Sequence, residues 1–128
     1  MSLRSPVGRV LGLGSAKEGV SHWWSQRVTA VGLVLLGLWF ACSLLQLGSF
    51  DHGAVVAWIG TPTHAVLLSL LIGTAAYHSQ LGVQVVVEDY VSNKGWKIVT
   101  MLFVNFLHVA LAALGVFSVL RIAFGAAA

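Results

Sequence analysis

The sequence predicts an all-α integral membrane protein with three transmembrane helices, and its composition and three long uncharged runs support that prediction. Of the 128 residues, 58% are hydrophobic and 9% are charged, and the mean hydropathy is +0.90. A soluble domain of this size cannot bury so much apolar surface. Asp, Glu, Lys and Arg are absent from residues 28–49, 61–87 and 98–120. Each run exceeds the roughly 20 residues that a helix needs to cross about 30 Å of hydrocarbon.

The first helix is predicted over residues 28–48, after an N-terminal segment of residues 1–27 that carries Ser, Gly and charged residues. Its apolar run begins too late for a cleavable secretory signal, so we expect the helix to remain in the mature protein. Trp23 and Trp24 precede it and suit the lipid headgroup region, and Arg27 marks its inner end.

The second helix is predicted over residues 63–87, because Pro62 suits the first turn of a helix and Thr61 its N-cap. The connection before it, residues 49–62, is too short and too weakly hydrophobic to cross the membrane, although it leaves room for a brief interfacial helix. The third helix is predicted over residues 98–120, after a polar inner connection.

The basic residues predict how the helices are oriented. Six of the seven Lys and Arg residues precede the first helix or lie between the second and third, and only Arg121 follows the third. The positive-inside rule therefore places the N-terminal segment in the cytoplasm and a short tail, residues 123–128, in the periplasm, with residues 28–122 forming the membrane domain. Because topology explains the net charge of +3, no nucleic acid is expected as a partner. The single cysteine, Cys42, excludes an intrachain disulfide, an iron–sulfur cluster and a structural zinc site.

His78 is the residue that most clearly calls for a function, because an ionisable group near the bilayer centre is costly. It lies nine residues before Val87, and this spacing puts it roughly 13–14 Å from the inner end of the second helix. One ring nitrogen can bind a metal while a hydrogen bond holds the other, and Gly82 one turn further leaves room for a flat macrocycle. A histidine bonded to a neighbouring helix explains these features equally well.

Two other histidines allow alternative interpretations of how a haem could be bound. His108 has a depth similar to that of His78, so one chain could supply both axial ligands of a haem. His64 precedes His78 by fourteen residues, which at about 100° per residue returns it to within about 40° of the same face. An autonomous cytochrome b that uses His78 with His64 or His108 therefore stays open, as does a haem-free structural membrane protein.

Polar residues gather where the first and second helices meet the cytoplasmic boundary. Arg27 is typical of a snorkelling boundary residue, but its guanidinium also suits carboxylates such as haem propionates. Asp89 and Tyr90 follow the second apolar run, and the phenol suits the aromatic belt as readily as a ligand site. Residue types alone leave both interpretations open.

Two stretches, "SHWWSQRVTA" and "HSQLGVQVVVEDYV", resemble the D-type hydrophobic membrane anchor of succinate dehydrogenase, respiratory complex II. That family has a three-helix anchor with Arg-x-Thr-Ala at the start of the first helix. On its second helix a histidine is followed four residues later by glycine, and eleven and twelve residues later by Asp-Tyr. The corresponding residues here are Arg27, Thr29, Ala30, His78, Gly82, Asp89 and Tyr90.

The resemblance implies a role for each of these polar side chains. His78 would be one axial ligand to the iron of a b-type haem, and the C-type anchor beside it would supply the other. Arg27 would lie near the haem propionates. Tyr90, with Asp89 in support, would meet the headgroup of a quinone, expected to be ubiquinone. No residue of this chain is expected to be catalytic.

The resemblance also implies the partners and the location of the chain. It would anchor the flavoprotein and iron–sulfur subunits of a succinate:quinone oxidoreductase to the bacterial inner membrane, in contact with lipid and with the C-type anchor. A further interpretation is that the chain is an anchor of a fumarate reductase, because the reaction runs in both directions.

Overall fold

The computed structural model describes residues 6–10 and 19–125. These residues form helices and connecting turns, with no strand among them. The helices are α1 (Pro6–Val10), α2 (Gly19–Leu45), α3 (His52–Gly60), α4 (Pro62–Tyr90) and α5 (Lys94–Ala123). Of these, α2, α4 and α5 are long and apolar enough to cross a membrane, which confirms the predicted all-α fold class with three transmembrane helices.

Each of the three long helices extends beyond its uncharged run at one end or at both ends. Helix α2 begins at Gly19 instead of residue 28, so residues 19–27 of the predicted N-terminal segment are helical, and it ends at Leu45 instead of residue 48. Helix α4 continues at its C-terminal end through Glu88 and Asp89 to Tyr90, and α5 extends beyond its uncharged run at both ends, from Lys94 to Ala123. Charge marks where hydrocarbon ends, whereas backbone hydrogen bonding continues until a turn or cap intervenes. Residues 1–5 and 11–18 of the predicted N-terminal segment and residues 126–128 of the predicted tail lie outside the described residues.

The connection after α2 forms the short helix α3, which at nine residues cannot span a bilayer. Asp51 caps it by accepting hydrogen bonds from the Ser49 hydroxyl at 2.6 Å and the Ala54 backbone N–H at 2.9 Å. These two bonds hold the pKa of the Asp51 carboxyl below its usual 3.8. The cap is therefore ionised at neutral pH and complements the N-terminal dipole of α3.

The two long helices that follow begin with different caps. Pro62 stands in the first turn of α4 and Thr61 at the N-cap position, but the Thr61 side chain does not cap the helix. Its hydroxyl instead donates to the Ala57 carbonyl at 3.3 Å. Asn93 caps α5 directly, because its side-chain oxygen accepts from the backbone N–H groups of Gly95 and Trp96. Such a bond is the usual reason for asparagine at an N-cap.

Helix α4 is the centre of the bundle. It packs against both α2 and α5, whereas no Cα atom of α2 comes within 8 Å of one in α5. Small residues allow both contacts: a Cβ atom placed on Gly32 would lie 3.5 Å from Thr74, and one placed on Gly115 would lie 3.0 Å from Ile72. Close approach through small residues is the usual way in which membrane helices pack.

Few side chains are buried in the described part of the chain, and α2 contributes none of them. The buried residues are Ala65, Leu68, Leu81, Val87, Val104 and Val119. At the end of the bundle that holds α3, aromatic rings of α2 and α3 pack against the small cluster of Ala65, Leu68 and Val119, and the rings of Trp39 and Trp58 stack with their centres 6.2 Å apart. The remaining apolar surface is available to lipid or to other membrane helices.

Candidate functional site

His78 lies in the contact between α4 and α2, and both of its ring nitrogens face polar side chains of α2. Its Nδ1 is 2.9 Å from the Thr29 hydroxyl oxygen. Its Nε2 is 3.4 Å from the side-chain nitrogen of Gln26. The imidazole is half-buried.

The chemistry of these partners assigns the proton on the His78 ring. The Thr29 hydroxyl has one hydrogen, and both its nearby backbone partners, the carbonyl oxygens of Ser25 at 2.7 Å and Gln26 at 3.2 Å, are acceptors. With that hydrogen donated to the Ser25 carbonyl, the closer of the two, Thr29 accepts from His78, and the proton of a neutral ring is then on Nδ1. Nε2 then carries the lone pair, and the Gln26 amide N–H points towards it. His78 thus presents its basic Nε2 for a further partner.

Sequence spacing places these groups together. Gln26 and Thr29 are three residues apart and share one face of α2. Gly82 lies one turn beyond His78, and a Cβ atom added there would meet only the Gln26 side chain, at 3.8 Å. The space beside the imidazole is therefore left open by glycine on α4 and is occupied only by a flexible amide from α2.

A groove of about 960 Å³ opens between the N-terminal part of α2 and the C-terminal part of α4. Its walls carry one cation, Arg27, whose guanidinium carbon lies 5.5 Å from the ring centre of Trp23. They also carry Glu88, which accepts a hydrogen bond from the Gln84 amide at 2.8 Å. A guanidinium at the edge of such a groove suits a carboxylate of an amphipathic ligand.

Two buried polar atoms at this groove have no hydrogen-bond partner among the described residues. They are the Nε2 atom of His22 and the side-chain oxygen of Gln26. Buried polar atoms are normally satisfied, and an unsatisfied pair beside an open groove indicates a missing partner. The groove therefore fits a bound polar group or another chain better than it fits lipid alone.

The structure does not bring Asp89 and Tyr90 into this groove. Both lie at the end of α4, and Tyr90 is 82% exposed. Neither side chain makes a hydrogen bond within the described ranges. The phenol hydroxyl of Tyr90 is thus available to an external partner at the boundary, about 18 Å along the helix from His78.

The other histidines of the spans are bonded elsewhere. His108 donates from Nδ1 to the Val104 carbonyl at 2.8 Å, and its Nε2 lies 3.2 Å from the Ser79 hydroxyl. His64 donates to the Trp58 carbonyl at 2.9 Å. Neither histidine bonds His78, and residues 6–10 and 19–125 contain no cluster of three or more His, Cys, Asp or Glu side chains that could hold a metal ion.

Comparison with known proteins decides the family. The family described as the succinate dehydrogenase/fumarate reductase transmembrane subunit matches residues 1–119. The chain belongs to this family. The predicted membership is therefore confirmed, and the chain is a multi-pass membrane protein.

Curated members of the succinate dehydrogenase family are similar over most of the chain. The succinate dehydrogenase hydrophobic membrane anchor subunit of Rickettsia bellii is 37% identical over 89 residues, which cover 70% of this chain and 71% of the relative. That of Rickettsia conorii is 38% identical over 80 residues, covering 62% and 64%. That of Paracoccus denitrificans is 28% identical over 115 residues, covering 90% and 88%. No solved structure matches the chain.

Sequence reasoning placed His78 near the bilayer centre but missed its contact with Gln26. Thr29 was identified only as part of the motif shared with the succinate dehydrogenase anchors, and no hydrogen-bond partner was predicted for it. One feature of the sequence could have indicated this contact. Gln26 and Thr29 are two hydrogen-bonding residues three positions apart in a helix that otherwise carries mainly apolar side chains. Sequence spacing does not determine how α2 is rotated about its own axis relative to α4.

Replacing Thr29 by valine should change the tautomer of His78. Valine keeps the branched shape but cannot accept from Nδ1, so the imidazole loses the bond that selects the Nδ1-protonated form. Nitrogen NMR of ring-labelled histidine in the membrane-embedded protein reports which nitrogen carries the proton. Thr100→Val, on α5, is the matched control and should leave the spectrum unchanged. An unchanged His78 signal in Thr29→Val would contradict the proton assignment.

Proposed function

We propose that this chain is a membrane anchor subunit of a succinate:quinone oxidoreductase that ligates a b-type haem through Nε2 of His78 and contributes to the quinone-reduction site. Family membership supports the complex. The hydrogen bond from His78 to Thr29 is the observation that supports the ligand role, because it leaves the Nε2 lone pair for a metal. Holding one nitrogen of a ligating histidine in this way is the usual arrangement at metal sites.

The residues around His78 fit a haem. A haem iron needs only axial ligands from protein, so one imidazole suffices on this side. Gly82 leaves space beside the ring, and the 3.4 Å contact of Gln26 is long enough that little is lost when Nε2 takes another partner. Arg27, held against Trp23, would pair with the propionates. Bound there, the group would supply one-electron redox chemistry.

The second axial ligand is proposed to come from the C-type membrane anchor. His64 and His108 are each bonded within this chain to other groups, and no observation favours an autonomous cytochrome that uses either of them. The unpartnered atoms of His22 and Gln26 also favour a site that another chain completes.

Tyr90 and Asp89 are proposed to contribute to the quinone site at the inner boundary. An amphipathic quinone, ubiquinone in this proposal, can present its headgroup there while its tail stays in lipid. The exposed phenol would donate a hydrogen bond to a quinone carbonyl. That bond strengthens as negative charge develops on the oxygen during reduction, so it lowers the barrier.

The remaining partners are proposed to be the iron–sulfur and flavoprotein subunits. They carry out the oxidation of succinate, or the reverse reaction, and this chain has no complete active site of its own. The proposed location is the bacterial inner membrane, with the N-terminus in the cytoplasm and the C-terminus in the periplasm, as the distribution of Lys and Arg favours.

Substitution of His78 by glutamine should remove the bis-histidine haem signature from the purified complex, because the amide cannot replace an imidazole ligand. His108→Gln is the matched control, since it removes an equally deep histidine that is bonded within α5 and to Ser79. Absorption and electron paramagnetic resonance spectra distinguish the two variants. Loss of the signature in His108→Gln but not in His78→Gln would contradict the assignment.

Reporter fusions test the proposed orientation. Because six of the seven Lys and Arg residues flank one side, fusions at the C-terminus and after Asp51 should both give a periplasmic signal, and a fusion after Asn93 should give a cytoplasmic one. A cytoplasmic signal at either of the first two positions would overturn the orientation.

Tyr90→Phe should impair quinone reduction while haem content and assembly remain normal. Phenylalanine keeps the ring but loses the donor, so quinone-dependent turnover should fall about 10-fold, the effect of roughly 1.4 kcal/mol of transition-state stabilisation. Succinate oxidation by a dye that accepts electrons before the membrane should continue. Trp96→Phe, which changes an exposed aromatic residue in the first turn of α5 that lines neither the groove nor any other described opening, serves as the control. Equal and near-normal rates with both acceptors in Tyr90→Phe would exclude the quinone role.

A further inference from the structure

A second group of hydrogen-bonding side chains lies within the bundle, away from His78. The Gln80 amide nitrogen donates to the Asn105 side-chain oxygen at 2.8 Å and thereby joins α4 to α5. His108 and Ser79 form a neighbouring link between the same helices. Gln80 precedes Val87, the last residue of the uncharged run, by seven residues, which places it about 10 Å from the inner boundary and therefore in hydrocarbon.

These side chains edge a shallow hollow of about 350 Å³ between α4 and α5. Its floor is made by the small residues Gly73, Ala76 and Ala112, and its polar edge by Gln80 and Asn105. Small residues let a helix backbone approach closely. The hollow is therefore shaped for a helix that lies along the surface of the bundle.

Only half of the side-chain hydrogen-bonding groups of Gln80 and Asn105 are bonded. The side-chain oxygen of Gln80 and the side-chain nitrogen of Asn105 have no hydrogen-bond partner within the described ranges, and Asn105 is exposed. Lipid tails offer no hydrogen bonds, so an amide facing them is unfavourable. An occupant that supplies both an acceptor and a donor removes this cost, whereas an acyl chain does not.

The hollow adjoins the groove beside His78 at one shared residue. Tyr77 lines both, so the two openings are adjacent along one side of α4. A single transmembrane helix that follows α4 from the middle of the bilayer to its inner boundary would cover both. The other membrane-anchoring chain is already the proposed source of the second ligand to the haem at His78.

We propose that the α4–α5 hollow binds a transmembrane helix of this second membrane-anchoring chain, which presents an amide or hydroxyl side chain to the Gln80–Asn105 pair. The identity of the partner rests on the function proposed above. The binding surface itself rests on the exposed, half-satisfied amides at bilayer depth and on the small residues beneath them.

Site-specific photo-crosslinking in native membranes tests this surface. A benzophenone amino acid at Val109, which lines the hollow and is 67% exposed, should crosslink to the second membrane-anchoring chain of the assembled complex. The same amino acid at Phe117, which is 65% exposed and does not line the hollow, is the control and should give little or no such product. A product with a second copy of this chain, a lipid adduct alone, or equal yields at both positions would overturn the proposal.

Substitution of the amide pair provides an independent test. Gln80→Leu combined with Asn105→Leu should lower co-purification of the second chain about 10-fold, near the upper range of an interhelical hydrogen bond in membranes. The exchange Gln80→Asn with Asn105→Gln keeps the amides and should retain most of the binding. Ser118→Leu is the control, because its hydroxyl already bonds the Leu114 carbonyl.

The tests separate this surface from the haem proposal. Normal recovery of the second chain with the double leucine variant would overturn the role of the amides, whatever the haem content. If that variant does not accumulate in membranes, the exchange variant and the Val109 crosslink decide whether this surface binds the second chain. A complex that lacks haem but still crosslinks at Val109 would contradict the haem assignment and leave the binding surface intact.

Discussion

The hydrogen bond between His78 and Thr29 is the interaction on which the proposed site depends. It joins α2 to α4 at 2.9 Å, at a depth where a free imidazole would be costly. It also favours a proton on Nδ1, because the Thr29 hydroxyl lies 2.7 Å from the Ser25 carbonyl, to which it can donate its one hydrogen. One contact thus satisfies a polar group in hydrocarbon, orients the ring and leaves Nε2 for a ligand.

The position of α4 between its two neighbours explains why both polar surfaces lie along this helix. Because α2 and α5 pack on α4 and not on each other, α4 keeps an open side along its length. The groove beside His78 and the hollow at Gln80 both open there, and Tyr77 links them. A bundle with this arrangement buries few of its own side chains, so its stability in a membrane depends on what covers that side.

The fold could be predicted almost completely from the sequence, whereas the site could be predicted only in part. Uncharged runs fix the number and order of the spans, because hydrocarbon excludes charge. They do not fix the helix ends, and α2 begins at Gly19 because nothing in the polar residues before Arg27 interrupts backbone hydrogen bonding. The depth of His78 follows from counting residues. Its contacts with Gln26 and Thr29 depend on how α2 is rotated against α4, which side-chain packing decides. Asp89 and Tyr90 are at the predicted boundary, but neither side chain has a hydrogen-bond partner among residues 6–10 and 19–125.

The most direct test of the account is an absorption spectrum of the purified membrane complex that contains this chain, recorded before and after addition of succinate. If Nε2 of His78 ligates a haem within a succinate:quinone oxidoreductase, the spectrum should show a b-type haem in equal amount to the chain, with reduced bands increasing after succinate is added. A complex that retains the chain and oxidises succinate but shows no haem absorption would contradict the account.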